Sequence, residues 1–228
     1  MMRNFARLLT KASILACCVG CGAETPNAAP SSDSMPDVAD RVAEAWISKP
    51  RSEWPQMVLT NQAEFKGHSP LWGASGYLIK TADDRVLAAT ARHLIGSAGG
   101  VEPTIPVAQL TEKIESWTMY PRTLPDETVE IVSLGAPGLD DANLDWLVLS
   151  IKDVDSLPAY PLKLRKEPVQ VVETVFLIGC PYSEPDCQQN VYTCTVTERY
   201  GGDCFRYDLD PAVDLRGFSG APIIDAKG

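Results

Sequence analysis

The sequence predicts an all-β protein whose antiparallel strands form a barrel or a sandwich. From about residue 55 the chain breaks into short β-type runs, QMVLT, GYLIK, VLAAT, VEIVSL, WLVLSI, VETVFLI, VYTCTVT, CFRYDL and APIID, punctuated by Gly, Pro and Asp. Helical spacing is scarce beside them. Pro36 followed by Val38, Val42, Ala45 and Trp46 predicts one short amphipathic helix near the N-terminus, and VAQLTEKIESW predicts a second, inserted between strands. TADDR, between GYLIK and VLAAT, is a hairpin turn, and no repeat recurs at a fixed period.

Composition supports a folded domain and excludes several function classes. The chain has 228 residues, 45% hydrophobic and 22% charged, which suits one domain or two small ones with a sizeable core and argues against wholesale disorder. A formal charge of −10 lacks the basic stripe of a nucleic-acid protein. The two histidines, His68 and His93, leave little room for a His-rich metal site.

The first twenty residues read as an export signal. Arg3, Arg7 and Lys11 precede the apolar run ASILACCVG, and small residues close it. The run is too short for a membrane span, which needs about 20 apolar residues. Cys21 directly after Val19-Gly20 is similar to the acylated cysteine of a bacterial lipoprotein signal, although Cys18 replaces the usual aliphatic residue of that motif. The alternative is an ordinary cleaved signal without lipid. The expected layout is signal over 1–20, flexible tether over 21–36, and a folded domain over 37–228. Loss of the signal takes the charge to −13, because it removes three basic residues and no acidic one. The expected location is the bacterial cell envelope, held to a membrane through the N-terminal lipid, or else secreted or periplasmic.

Of seven cysteines, four lie in the domain: Cys180, Cys187, Cys194 and Cys204. An exported protein meets an oxidising compartment, so disulfides are expected. No C-x-x-C occurs, which disfavours a zinc ribbon. Four cysteines allow three pairings. Cys180–Cys187 across PYSEPD and Cys194–Cys204 across a hairpin are the favoured set.

Three segments carry candidate chemistry. GASGYLIKTADDRVLAATARHLIG brings His93 to the end of a strand, NLDWLVLSI opens an apolar strand with Asp145, and RGFSGAPII places Ser219 between glycines. His68 lacks the Thr-x-x-His setting and reads as a surface or turn residue. Asp140 and Asp141 lack an apolar strand in register and are weaker candidates than Asp145. Asp214 is expected to pair with Arg216 or with water.

Taken in the order His, Asp, Ser, these segments resemble the trypsin/chymotrypsin-like serine peptidases, most closely the bacterial Deg-type branch. The resemblance rests on Gly73, Ser75, Gly76, Thr90 and His93, on Asp145 with Leu147, Val148 and Leu149, and on Gly217, Ser219, Gly220, Ala221 and Pro222, with FLIGCPY similar to a Gly-x-Pro strand end. It spans roughly residues 55–228. It implies two antiparallel six-stranded-type β-barrels and a serine endopeptidase acting on polypeptides. It also implies a catalytic triad of His93 (base), Asp145 (orienting acid) and Ser219 (nucleophile), and an oxyanion hole from the N–H groups of Gly217 and Ser219. No metal or organic cofactor is implied. Phe218 stands where trypsin has an aspartate that pairs with a freed N-terminus, so no such activation switch is expected. The sequence stops at Gly228, nine positions past Ser219, so the second barrel is expected to be incomplete. The rival reading is an inactive envelope lipoprotein using the same fold as a binding module. An α/β-type esterase is disfavoured, because its histidine comes last in chain order and its serine sits between strand and helix.

Overall fold

Alternation along the β-type runs dictates a half-buried sheet, and the computed structural model shows how the strands close. It describes residues 43–135, 145–200 and 204–228, together with the backbone of 13–17. The strands are β1 (Ser13–Cys17), β2 (Val58–Phe65), β3 (Leu71–Lys80), β4 (Val86–Thr90), β5 (Ile114–Tyr120), β6 (Val129–Leu134), β7 (Leu147–Ile151), β8 (Leu162–Lys163), β9 (Thr174–Gly179), β10 (Asn190–Tyr200), β11 (Cys204–Leu209) and β12 (Ile223–Ile224). One four-residue helix, α1 (Leu110–Lys113), precedes β5.

Strands β2–β5–β6–β7–β4–β3 close into a six-stranded antiparallel barrel through the β2–β3 pairing, and β8 adds in parallel to β3. The remaining strands form a five-stranded sheet ordered β1–β11–β10–β9–β12. This is the double-barrel architecture of the chymotrypsin-like fold, with a closed first barrel and an open second sheet. The first barrel is filled by residues such as Leu59, Leu78, Leu94, Trp117 and Leu149. The second sheet has its own core around Val175, Leu177, Val196, Phe205 and Phe218. Trp46, Trp54, Met57, Leu162, Ile178 and Ile224 form a third cluster, which joins the barrel to the second sheet.

Two expected helices are reduced by tertiary competition. Of the N-terminal one, only Ala43 onward lies within the described residues, and there the chain makes turns: Ile47 N–H donates to Glu44 O at 3.1 Å and Lys49 N–H to Trp46 O at 3.0 Å. Glu44 N–H is drawn instead to Lys227 O at 2.8 Å, and Trp46 buries itself edge-on against Trp54 and Tyr160. In VAQLTEKIESW only a 3₁₀ turn and α1 form, and from Ile114 the chain is β5, because Trp117 and Met119 alternate into the barrel core. The TADDR turn is as expected, with Thr81 N–H donating to Arg85 O at 2.9 Å.

The disulfide expectation is half corrected. Cys180–Cys187 forms, with a Cα–Cα distance of 5.8 Å. Cys194–Cys204 does not: Cys194 is a buried free thiol, and Cys204 is bonded elsewhere. The hairpin register explains why, since Cys194 lies across from Leu209 and Cys204 from Tyr200. Burial pushes the Cys194 thiol up to about 11, so it stays protonated and behaves as a small core residue.

One polar knot ties the strands of the first barrel together. Asn61 on β2 is fully buried; its Nδ2 donates to Ser75 O at 2.9 Å, and its Oδ1 accepts from Trp117 Nε1 at 3.0 Å. Thr90 Oγ1 on β4 donates to the same Ser75 carbonyl at 2.6 Å. A bulge presents that carbonyl: Thr60 pairs Ser75 but Asn61 pairs Gly73, and Gly73 and Ala74 both take positive φ, 87° and 59°.

Two stability predictions follow from these features. Asn61→Leu keeps the branching of the side chain but orphans the buried Trp117 N–H, and is expected to cost about 1–3 kcal/mol, read as a lower urea midpoint at unchanged m-value. Val172 is a β-branched residue at φ 66° with 78% of its surface exposed, so it carries strain with little packing in return. Val172→Asn, which tolerates that backbone, is expected to stabilise by about 1 kcal/mol, read as a higher midpoint.

Candidate active site

Register alone brings the first two candidate residues together. Thr90, the last residue of β4, pairs with Leu147, the first of β7. His93 lies three residues beyond Thr90, in the 3₁₀ turn Arg92–Ile95, and Asp145 lies two residues ahead of Leu147. The two strand ends therefore converge. His93 Nδ1 is 2.6 Å from Asp145 Oδ2, and the His93 backbone N–H donates to Asp145 Oδ1 at 2.9 Å. One carboxylate thus grips both the ring and the main chain of one histidine. Both side chains remain partly open to solvent, 35% for His93 and 52% for Asp145.

That grip sets the charge of the acid. Partial burial raises the Asp145 carboxyl, but the bonds from the His93 ring and backbone outweigh it, with smaller help from Arg92, and hold it below the ordinary carboxylate range. An ionised carboxylate can only accept, so Nδ1 carries the proton toward it and Nε2 is left facing the opposite way.

The third candidate arrives from the second sheet. Ser219 sits in the turn between β11 and β12, and its carbonyl accepts from Ser75 N–H at 2.8 Å. A Cβ added to Gly220 would lie 2.8 Å from Ala91 N and 2.5 Å from Thr90 Oγ1. The turn therefore presses against the strand end that carries His93, and φ 81° together with that closeness requires glycine at 220. Ser75 Oγ donates to Gly217 O at 2.7 Å, so one serine of the first barrel holds both sides of the turn.

Phe218 anchors the turn from beneath. It is buried against Gly179, where an added Cβ would come within 2.6 Å of its ring, and it meets Tyr192 edge-on at 5.5 Å between centroids. A buried phenyl here forms no ion pair. Phe218 N–H donates to Leu215 O at 3.1 Å, and Ala221 N–H to Phe218 O at 2.8 Å. Among the described residues the N–H groups of Gly217 and Ser219 have no hydrogen-bond acceptor, so both are free to meet a bound oxyanion.

The other sequence candidates lie elsewhere. His68 is half-buried on the β2–β3 loop, its Nδ1 2.6 Å from Pro103 O. Asp214 pairs with Arg216, whose Nη2 lies 2.6 Å from Asp214 Oδ2. Asp140, Asp141 and the lipidation candidate Cys21 lie outside the described residues. A recess of about 830 Å³ lined by Asp126, Glu127, Asp153 and Asp155 opens at the far end of β7 from Asp145, and no group of described residues has the arrangement of a metal site. The residues that sequence reasoning missed are Asn61 and Tyr182. Asn61 is a lone polar residue in a strand, which carries no motif. Tyr182 is the last residue of the FLIGCPY segment, whose resemblance rested on its Gly-x-Pro, and its hydroxyl accepts from Ala74 N–H at 2.6 Å.

Residues 74–228 match the family model of the trypsin-like peptidase domain. Among solved structures, the crystal structure of Deg5 is similar at 17% identity, with a TM-score of 0.47 over 75% of each chain. No curated protein sequence matches significantly. With most of its length matched and its strand ends converging on a His–Asp pair beside a glycine-flanked serine, the chain belongs to the trypsin-like peptidase domain family.

Proposed function

We propose that this protein is an exported serine endopeptidase in which Ser219 attacks the peptide carbonyl, His93 is general base and then general acid, and Asp145 orients His93. The observation that carries the reading is the two-point hold of Asp145 on His93, at 2.6 and 2.9 Å. A serine hydroxyl is a poor nucleophile until a base takes its proton. His93 Nε2, opposite the carboxylate, is the nitrogen available for that proton. The carboxylate stabilises the imidazolium that results, without itself taking the proton. Negative charge developing on the carbonyl oxygen is met by the N–H groups of Gly217 and Ser219. Collapse of the tetrahedral intermediate expels the amine, protonated by His93, and water then releases the acyl group from Ser219 by the same steps in reverse.

Anchoring completes the reading. Cleavage before Cys21 and acylation of its thiol would tether the domain to a membrane of the cell envelope. The same cleavage would remove β1, which runs antiparallel to β11 with Ser13 across from Asp208 and Cys17 across from Cys204. Expressed in bacteria fed a labelled fatty acid, the protein is expected to take up label that Cys21→Ser abolishes. Label retained in that variant would rule out Cys21 as the lipid site.

Covalent capture by a fluorophosphonate probe tests the catalytic reading. The wild type is expected to label at Ser219, and Ser219→Ala to lose all label. Asp145→Asn is expected to react about 10⁴-fold more slowly, the loss an Asp→Asn substitution produces in trypsin-like Ser–His–Asp triads, because it leaves the wrong tautomer of the histidine. A folded wild type that stays unlabelled would instead favour the non-catalytic binding module.

The lowered Asp145 carboxyl also predicts a pH dependence of stability. A carboxyl depressed in the native state stabilises the fold above its unfolded pKa of about 3.9, and that stabilisation is lost as pH falls through the lower native value. The wild type is therefore expected to be more stable than Asp145→Asn at neutral pH, with the gap closing below about pH 4. A gap that persisted unchanged to pH 2 would contradict this assignment.

A further inference from the structure

We propose that the disulfide-closed loop Cys180–Cys187 is a latch that aims the oxyanion hole, with Tyr182 as its positioning residue, so that a dithiol reductant slows catalysis without weakening substrate binding. This rests on the serine peptidase reading and deepens it.

Planarity of the peptide bond couples each carbonyl to the next N–H. In a trans peptide the C=O and the following N–H point in opposite directions, so fixing one fixes the other. Tyr182 N–H donates to Arg216 O at 2.9 Å. That bond turns the Arg216–Gly217 peptide so that Gly217 N–H faces away from the loop, toward the space beside Ser219. The Phe218–Ser219 peptide is fixed in the same manner by Ala221 N–H, from inside the turn itself. The two donors therefore differ in what aims them: Ser219 N–H is set locally, whereas Gly217 N–H depends on a separate loop.

Glycine makes that dependence matter. Gly217 has φ 105°, a region where a residue lacking Cβ swings at little cost. Without the Tyr182 bond, little within the turn opposes rotation of the Arg216–Gly217 peptide. Contact is close as well, since a Cβ on Gly217 would lie 2.8 Å from Cys180 O and 3.1 Å from the Tyr182 ring.

The loop between β9 and β10 has no regular structure of its own, so its shape rests on a few ties. The disulfide closes it. Arg122 donates to Pro181 O at 3.0 Å and to Glu184 O at 3.2 Å, and its guanidinium lies 5.8 Å from the centre of the Tyr182 ring. The Tyr182 hydroxyl accepts from Ala74 N–H in the β3 bulge. Cys180 is buried, but Cys187 is partly exposed, so a dithiol reaches the bond from the Cys187 side. One thiolate attacks Cys187 Sγ and displaces the Cys180 thiolate. The second thiol then closes the reductant into a cyclic disulfide and frees Cys187. Two electrons pass from the dithiol to the protein disulfide, leaving two cysteine thiols.

The test compares the wild type with the Cys180→Ser/Cys187→Ser double variant and with Tyr182→Phe. Fluorophosphonate labelling is resolved into its maximal rate and its half-saturating concentration, with a thermal melt to verify folding. The double variant is expected to lose about 10- to 100-fold in maximal rate, short of the 10²–10³-fold that complete loss of one oxyanion donor costs. Its half-saturating concentration is expected to stay within about twofold, because probe binding does not depend on that donor. Dithiothreitol should bring the wild type to the same rate and leave the double variant unchanged. Tyr182→Phe, which keeps the backbone N–H but loses the bond to Ala74, should fall between. A folded, labelled double variant or Tyr182→Phe with wild-type maximal rate would overturn the latch. So would a loss carried wholly by the half-saturating concentration. An unlabelled wild type would overturn the peptidase reading itself, and the latch with it.

Discussion

Everything at the site depends on Ser75, a buried residue whose N–H, hydroxyl and carbonyl are all engaged. Its N–H holds Ser219 O and its hydroxyl holds Gly217 O, while its carbonyl collects Thr90 Oγ1 and Asn61 Nδ2. The first two bonds fasten the Ser219 turn to the first barrel. The other two fasten the same residue to the strand ahead of His93 and to the barrel wall. Orphaning any of these buried groups costs the desolvation penalty of a polar group, about 1–3 kcal/mol each. The positions of Ser219 and His93 are thus fixed by one shared reference and not by a contact between them. The strain of Ala74 at φ 59°, of a kind that costs about 1–3 kcal/mol, is what turns Ser75 into that role.

The acid of the site works by a different principle from the core. Asp145 is half exposed, and a carboxylate in that position would ordinarily gain little from a single charged partner, since solvent screens such pairs to about 0–1 kcal/mol. Its hold on His93 is instead geometric. Two donors from the same residue, one in the ring and one in the backbone, define both the plane and the direction of the imidazole. The chain's acidic balance is no obstacle, because the hydrogen bonds that keep Asp145 ionised act at contact distance and not through the net charge.

Much of this was legible in the sequence, and the boundary of legibility is physical. Alternation and turn residues identified the strands, because a period of two is written locally; β3, β4, β7 and β9 lie where GYLIK, VLAAT, WLVLSI and VETVFLI placed them. His93, Asp145 and Ser219 stood out because strand ends and glycine turns leave marks in the order of residues. What failed required knowledge of register or of competition between partners. Cys194 and Cys204 belong to one hairpin, but only the pairing of Cys194 with Leu209 reveals that they never meet. The N-terminal helical spacing was genuine, yet Glu44 finds Lys227 and Trp46 finds Tyr160, contacts between distant parts of the chain that no local pattern encodes. Asn61 was invisible for the same reason: its partners lie 14 and 56 residues away.

The anchor of the Ser219 turn has an energetic consequence. Phe218 is one of the buried side chains of the second sheet's core, wedged over Gly179 and against Tyr192. A turn held by an ion pair can be made or broken by a single charge, with the rest of the fold standing. A turn held by a buried phenyl cannot, because withdrawing Phe218 opens a cavity beside Val175, Leu177 and Val196, and removal of a core phenyl costs about 3–5 kcal/mol. Order at Ser219 and cohesion of the second sheet are therefore one property. The strand that follows the turn, β12, pairs only Ile223 and Ile224 with β9, so the ladder contributes few bonds there and packing contributes most. Regulation of the site is correspondingly confined to parts outside that core. The Arg216–Gly217 peptide, held from the Cys180–Cys187 loop, is such a part, and it can turn while Phe218 stays buried.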